Sequence, residues 1–319
     1  MDFTKESPVI LSVCPGILGL ERGLERAFQK LRWQRPAIAA YVEIEAFICT
    51  NLVAAMEAGF LDPAPIWTDL KTFDPQPFRE RIHFYIGGYP CQPFSVAGKQ
   101  SGTCDSRHLW PYIQQHVEAI RPVFGFFENV RGHLKLGFDE VYRSLSNMGY
   151  AVEPGIFSAE EVGASHQRER LFILAIRKDY LANSNSEPGQ PAAEGRLGVD
   201  GELLQKTGWD QDTNGPESFS EKMGNTDSTG FGQFGRAVTV QEKFSSLEYT
   251  NSFNRWPARP GEQQYEWEQP RAVEPGVGCT IDGYNFREDL LRAYGNSVVE
   301  QTAEYAFLTL LQKFMKRWD

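Results

Sequence analysis

Short apolar, β-rich runs alternate with amphipathic helical patterns from residue 8 to residue 177, and this alternation leaves few architectures open. The runs VILSVC (9–14), AIAAYV (37–42), IHFYIGG (82–88), PVFGFFENV (122–130) and RLFILAI (170–176) lack the polar alternation of a half-exposed strand. They read as strands buried on both faces. Between the first two lies LERGLERAFQKL, in which Leu20, Leu24, Ala27, Phe28 and Leu31 share one helical side. The expectation is an α/β fold built on a parallel, doubly wound sheet, with any ligand at the carboxyl ends of its strands.

Beyond Lys178 the composition turns to Gly, Asn, Ser, Gln and Pro without clear periodicity, until VVEQTAEYAFLTLLQKFMKRW (298–318) restores a helical pattern. Its apolar side carries Ala303, Ala306, Phe307, Leu310 and Leu311, and is expected to return to the first sheet. The reading divides the chain into a first domain over 1–178, a loop-rich region over 179–283 and a C-terminal segment over 284–319. Residues 182–283 hold 8 Lys and Arg against 16 Asp and Glu, so most of the formal net charge of −10 is local to them. That balance argues against indiscriminate nucleic-acid binding but leaves a basic face elsewhere open. Five scattered cysteines form no CxxC pair and no metal-spaced cluster, which points to a reducing compartment without a metal site. The first residues lack the pattern of a signal peptide and no run approaches ~18 apolar residues, so a soluble, cytoplasmic chain without a membrane partner is expected.

The turn CPGILGLERG leads from the first strand into a helix with glycines at 16, 19 and 23. Such a turn lets a ligand approach backbone and free N–H groups, although many such turns only pack a helix. Glu43 follows the second strand, where an acid accepts hydrogen bonds from ribose hydroxyls, and Asp69 in PIWTDL is placed to end a third strand beside a purine amino group. A nucleoside-bearing cofactor fits this set. Cys91 follows Pro90 at the carboxyl end of the fourth strand, next to the same crevice. Free cysteines are most often small buried hydrophobes. Here Glu128, in ENV, ends the next strand at the same edge, and HQRERLF starts another with Arg168 and Arg170 at alternate positions, their side chains expected to point the same way. A nucleophile, an acid and two cations are thereby expected to converge.

The ordered set CPGILGLERGL, YVEIEAF, TDL, GGYPCQPFSVAGKQSG, DSRHLW, FFENVRG, HQRERLFILA and YGNSVV resembles the DNA (cytosine-5) methyltransferase family over most of the chain outside roughly 179–283. The resemblance implies a Rossmann-like, S-adenosyl-L-methionine-dependent methyltransferase sheet, with residues 179–283 as a smaller target-recognition region. It implies a cofactor pocket of Cys14, Gly16, Ile17, Gly19, Glu43, Ile44, Asp69, Leu109, Asn296 and Ser297. Cys91, Glu128, Arg168 and Arg170 would be catalytic, with Pro90, Gln92, Ser95, Asn129 and Val130 against the substrate. The implied substrate is a cytosine rotated out of double-stranded DNA, bound by a monomer, with a cognate restriction endonuclease as a possible partner. The glycine-bearing loop SVAGKQSG after Cys91 would serve as a lid. Leu18 stands where the family usually has another glycine. Two other readings remain: the same chemistry on tRNA, and a cofactor- and DNA-binding protein with weakened catalysis.

Overall fold

The computed structural model describes residues 1–90, 108–164, 166–182 and 287–318. In chain order the elements are β1 (Val9–Val13), α1 (Gly19–Lys30), β2 (Ala37–Val42), α2 (Ala46–Glu57), β3 (Ile66–Trp67), β4 (Phe84–Gly87), α3 (Trp110–Ile120), β5 (Phe124–Val130), α4 (Phe138–Asn147), β6 (Tyr150–Ser158), β7 (Glu169–Arg177), α5 (Lys178–Ala182), α6 (Arg287–Asn296) and α7 (Glu300–Trp318). The strands form one sheet in the order β3-β2-β1-β4-β5-β7-β6.

Both faces of the sheet are covered, as the uninterrupted apolar runs require. Alternate residues of each strand serve different sides. Ile10, Phe84, Ile86, Phe126, Phe172 and Leu174 pack with α1 and α7, whereas Leu11, Tyr85, Phe127, Leu171 and Ile173 pack with α3 and α4. The five expected core positions of α1 and the five of α7 are all buried. The last helix does return to the sheet, lying against α1, β6 and β7.

The sheet is mixed, where the alternating pattern suggested parallel strands throughout. β1, β2, β3, β4 and β5 pair in parallel, but β7 runs antiparallel to both β5 and β6. An apolar run buried on both sides carries no sign of its direction. β6 was not foreseen as a strand because Glu153, Pro154 and Gly155 interrupt its pattern. It occupies the sheet edge, where a residue without an N–H donor is tolerated.

Two glycines of the first helix have a structural explanation. A Cβ on Gly19 would lie 2.2 Å from the Val298 carbonyl oxygen, and one on Gly23 would lie 2.5 Å from the Ala303 Cβ and 2.7 Å from the Glu300 carbonyl oxygen. Their bare backbones let α1 and α7 approach closely. The contact is flanked by Glu304, buried on α7, whose carboxylate meets Arg26 Nε at 2.6 Å and Lys30 Nζ at 2.5 Å. Gly23→Ala should therefore lower stability by about 2 kcal/mol, because overpacking costs more than the roughly 1 kcal/mol that alanine gains in a helix. Thermal unfolding of the variant checks this, and an unchanged or raised Tm would contradict it.

Candidate active site at the carboxyl edge

The parallel strands bring Val13, Val42 and Gly87 into register, so the segments that follow them emerge along one edge. After β1 the chain turns sharply, with Cys14, Gly16 and Leu18 all at positive φ (52°, 54° and 68°). Leu18 thus adopts the left-handed conformation that favours glycine, at a cost of roughly 1–2 kcal/mol for a residue with a Cβ. A Cβ on Gly16 would meet nothing within 4 Å, so this backbone faces open space.

Beneath the turn, Ser12 Oγ donates to the Glu21 carboxylate, joining β1 to the first turn of α1. Glu21 is buried and its Oε2 has no hydrogen-bond partner. Burial pushes its pKa up to about 7, with the Ser12 bond opposing the shift. Sequence reasoning missed this pair, whose one signal was a serine inside an otherwise apolar strand. Glu43 lies just past β2, largely buried, and its Oε1 accepts the Glu45 N–H at 2.9 Å. Burial raises its pKa, opposed by bonds from the Glu45, Gly16 and Ile44 backbones.

The other cofactor-pocket candidates fall into two groups. Ile17 and Ile44 are exposed, Ile44 to 70%, and present apolar surface near Glu43. Asn296 is exposed at the end of α6. Leu109 is half-buried at the start of α3. Asp69, Ser297, Gly19 and Cys14 also have structural work. Asp69 caps a short turn by accepting the Lys71 N–H at 2.9 Å, and Ser297 Oγ donates to the Tyr294 carbonyl at 2.8 Å. Gly19 makes room for Val298. The Cys14 thiol is pushed up to about 12 by burial and by Glu43, so it stays protonated.

Glu128 and Arg170, two of the four catalytic candidates, meet because β7 is antiparallel. Val130 pairs with Arg170, which places Glu128 diagonally across from Arg170 on the same face. Arg170 Nε meets Glu128 Oε1 at 2.9 Å. The Glu128 side chain is 8% exposed, and burial pushes its pKa up to about 7 against the opposing pull of Arg170 and Arg168. Its Oε2 would lie 3.2 Å from a Cβ on Gly88, so the carboxylate overlies the segment leaving β4.

Arg168 is also held by backbone carbonyls. β7 begins at Glu169, so Arg168 precedes the strand, and its Nη2 donates to the Gly295 and Ser297 carbonyls, each at 2.6 Å. Its charge still acts on both Glu128 and Arg170, so the two arginines stay within electrostatic reach of the same carboxyl. Asn129 is fully buried, its Nδ2 donating to the Tyr89 carbonyl at 3.1 Å while its Oδ1 accepts the Val130 N–H at 2.9 Å. Val130 and Pro90 are exposed at the same edge. Cys91, Gln92 and Ser95 lie outside the described residues, as does nearly all of 179–283. Among the described residues no group of His, Cys, Asp and Glu is arranged to hold a metal, and no helix is long and apolar enough to cross a membrane.

The model of the C-5 cytosine-specific DNA methylase family matches residues 9–255. The chain belongs to that family. As a C-5 cytosine-specific DNA methylase family member it is 31% identical over 219 residues to the type II methyltransferase M.NgoMIV of Neisseria gonorrhoeae, a match covering 66% of this chain and 63% of that protein. It is 29% identical over 223 residues to M.Eco47II of Escherichia coli, covering 67% of this chain and 49% of that one. The chain thus spans less than two thirds of the length of either relative. The crystal structure of the S. pombe Dnmt2 methyltransferase is similar in fold, at a TM-score of 0.50 and 18% identity over 96% of this chain and 99% of that one.

The Ser12–Glu21 pair carries a pH signature. Glu21 keeps its proton in the folded state up to about pH 7, whereas the unfolded chain loses it near the ordinary value of 4.5. Stability therefore falls as pH rises through that window. Glu21→Gln removes the titration, so its stability relative to the parent should rise by about 2–3 kcal/mol between pH 5 and pH 8. Urea unfolding at both pH values measures this, and parallel pH profiles for the two proteins would refute it.

Proposed function

We propose that this chain transfers a methyl group from S-adenosyl-L-methionine to carbon 5 of a cytosine rotated out of double-stranded DNA, through a covalent bond to Cys91. The observation that carries the proposal is the buried Glu128–Arg170 pair, poised over Gly88, three residues before the cysteine. Family membership supports the base and the reaction class, and the names of the type II methyltransferase relatives support DNA as the substrate.

The first edge suits the cofactor. The open backbone at Gly16, the Glu43 carboxylate and the exposed Ile17 and Ile44 offer a bare turn, a hydrogen-bond acceptor for ribose and apolar faces for a purine. Asp69, Leu109, Asn296 and Ser297 would complete the pocket. When bound, S-adenosyl-L-methionine supplies an electrophilic methyl group on a sulfonium.

Carbon 5 of cytosine is too weak a nucleophile to take that methyl unaided. Addition of the Cys91 thiolate to carbon 6 forms the carbon–sulfur bond and makes carbon 5 enamine-like. Glu128 is suited to assist, because burial keeps it substantially protonated near neutral pH and able to donate to the ring nitrogen as charge develops there. Arg170, fixed against Oε1, orients the carboxyl and stands ready for the base oxygen. After carbon 5 has accepted the methyl, its proton leaves to a base, the carbon–sulfur bond breaks, and the thiolate is regenerated. Gln92, Ser95, Asn129 and Val130 would border the base. Residues 179–283 would read the sequence, with the protein acting as a monomer alongside a cognate restriction endonuclease.

Cys91→Ala should abolish methyl transfer while leaving S-adenosyl-L-methionine affinity within about twofold, measured by tritiated-methyl incorporation and calorimetry. Glu128→Gln should slow transfer by at least ~100-fold, and turnover close to the parent's would remove its proposed role. DNA bearing 5-fluorocytosine at the methylated position should be trapped on the protein, since fluorine cannot leave as the proton does. Peptide mapping should place the adduct on Cys91; an active enzyme that forms none would overturn the covalent route.

A further inference from the structure

Immediately upstream of the proposed nucleophile, one residue is gripped at both ends. Tyr89 is buried, and its carbonyl accepts the Asn129 amide at 3.1 Å while its hydroxyl shares a hydrogen bond with His133 Nε2 at 3.1 Å. Asn129 is in the last part of β5, and His133 is in the single 3-10 turn at Arg131–Leu134 that follows it. One short stretch of chain therefore holds both the backbone and the ring tip of Tyr89. The ring is also walled in, with its centroid 5.6 Å from Trp110, 5.7 Å edge-on from His133 and 6.4 Å edge-on from Phe127. Pro90 then fixes its own φ and offers no N–H, so the backbone leaving Tyr89 is restrained on both sides of the Tyr89–Pro90 bond.

We infer that the Tyr89–His133 hydrogen bond is a positioning device, with His133 setting the direction in which the chain leaves Tyr89–Pro90 for the cysteine. The inference rests on the proposed function for its catalytic consequence, but not for the mechanical one. His133 is suited to a fixed role rather than a titrating one. Burial lowers its pKa to about 4, so it remains neutral across the physiological range and its bond to Tyr89 does not switch with pH. The arrangement differs from the tyrosine–histidine pair made by Tyr85 on β4. Tyr85 and His116 bond at 3.1 Å beneath the sheet, among Phe73 and Phe127, where they support the core. Tyr89 stands four residues further on, past the end of β4 and two residues before the cysteine. A positioning residue needs shape and one polar atom, not acid–base chemistry, so an amide at position 133 should largely replace the imidazole.

The test uses the full chain with three variants. Tyr89→Phe keeps the ring and removes only the hydroxyl, His133→Phe removes the ring nitrogens, and His133→Gln restores a polar atom. Hydrogen–deuterium exchange over residues 85–92, kcat for methyl transfer to DNA, and the Kd for S-adenosyl-L-methionine are measured for each, together with the Tyr89→Phe/His133→Phe double variant. Tyr89→Phe and His133→Phe should speed exchange over 85–92 and lower kcat by 10- to 100-fold, with the cofactor Kd within twofold. The double variant should be no slower than the worse single variant, and His133→Gln should recover most of the rate. Unchanged exchange in Tyr89→Phe overturns the inference whatever the activity. So do an unchanged kcat, multiplying losses in the double variant, or a parallel loss of cofactor affinity. A parent protein that transfers no methyl group to DNA would instead refute the proposed function, and the exchange measurement would still decide the inference.

Discussion

The meeting of a buried carboxyl with a guanidinium across β5 and β7 is the constraint around which the active edge is organised. Glu128 comes at the end of a strand that runs parallel to β4, whereas Arg170 comes at the beginning of β7. A strand start reaches the same edge as a strand end only if the two run in opposite directions, as they do here. A parallel β7 would carry the arginine to the far side of the sheet, leaving a carboxyl in an apolar setting with no counter-charge. Removing one partner from a buried pair of this kind leaves the other group stranded, which costs several times what an exposed ion pair contributes. Burial and the arginine pull the Glu128 pKa in opposite directions, and burial prevails, pushing it up to about 7 and leaving the group able to hold or release a proton near neutrality.

The second organising feature is the reuse of polar groups that could otherwise serve a ligand. Asn129 ends in an amide that suits a base edge as well as a backbone, and the fold spends both of its polar atoms on backbone groups. Arg168 ties the strand start to the end of α6 and the turn that follows it, linking residues 127 and 129 apart in the chain. That turn carries Asn296 and Ser297 from the cofactor side. A single guanidinium thus joins the two halves of the proposed site, and displacement of the turn would be felt at the strand that carries Arg170.

Much of this was legible in the residues. The apolar runs marked five of the strands because a strand covered on both faces must be apolar on both, and the 3.6-residue spacing of Leu20, Leu24, Ala27, Phe28 and Leu31 marked the inner side of α1. The edge holding Glu128 followed from its place after an apolar run. What was not legible depended on information a pattern does not contain. Apolarity has no direction, so the orientation of β7 was hidden, and Pro154 masked β6. Glycine spacing could not separate a ligand turn from a tight helix contact. Gly16 faces open space, Gly19 faces Val298 just before α7 and Gly23 faces α7 itself, although all three belong to one sequence motif. The destinations of the Arg168 and Asn129 side chains were hidden for a similar reason: each depends on a carbonyl brought close only by the finished fold.

The seam between α1 and α7 also bears on how the protein is made. The two helices are far apart in the chain, so the groove opened by Gly19 and Gly23 has no lining while nearly everything between is being translated. Leu24, Phe28 and the aromatic side of the sheet must wait for Ala303, Phe307 and Leu310 before water is excluded from them. Closing so distant a contact is slow and leaves the nascent chain adhesive in the meantime. Chaperone occupancy on the ribosome would therefore concentrate on this face.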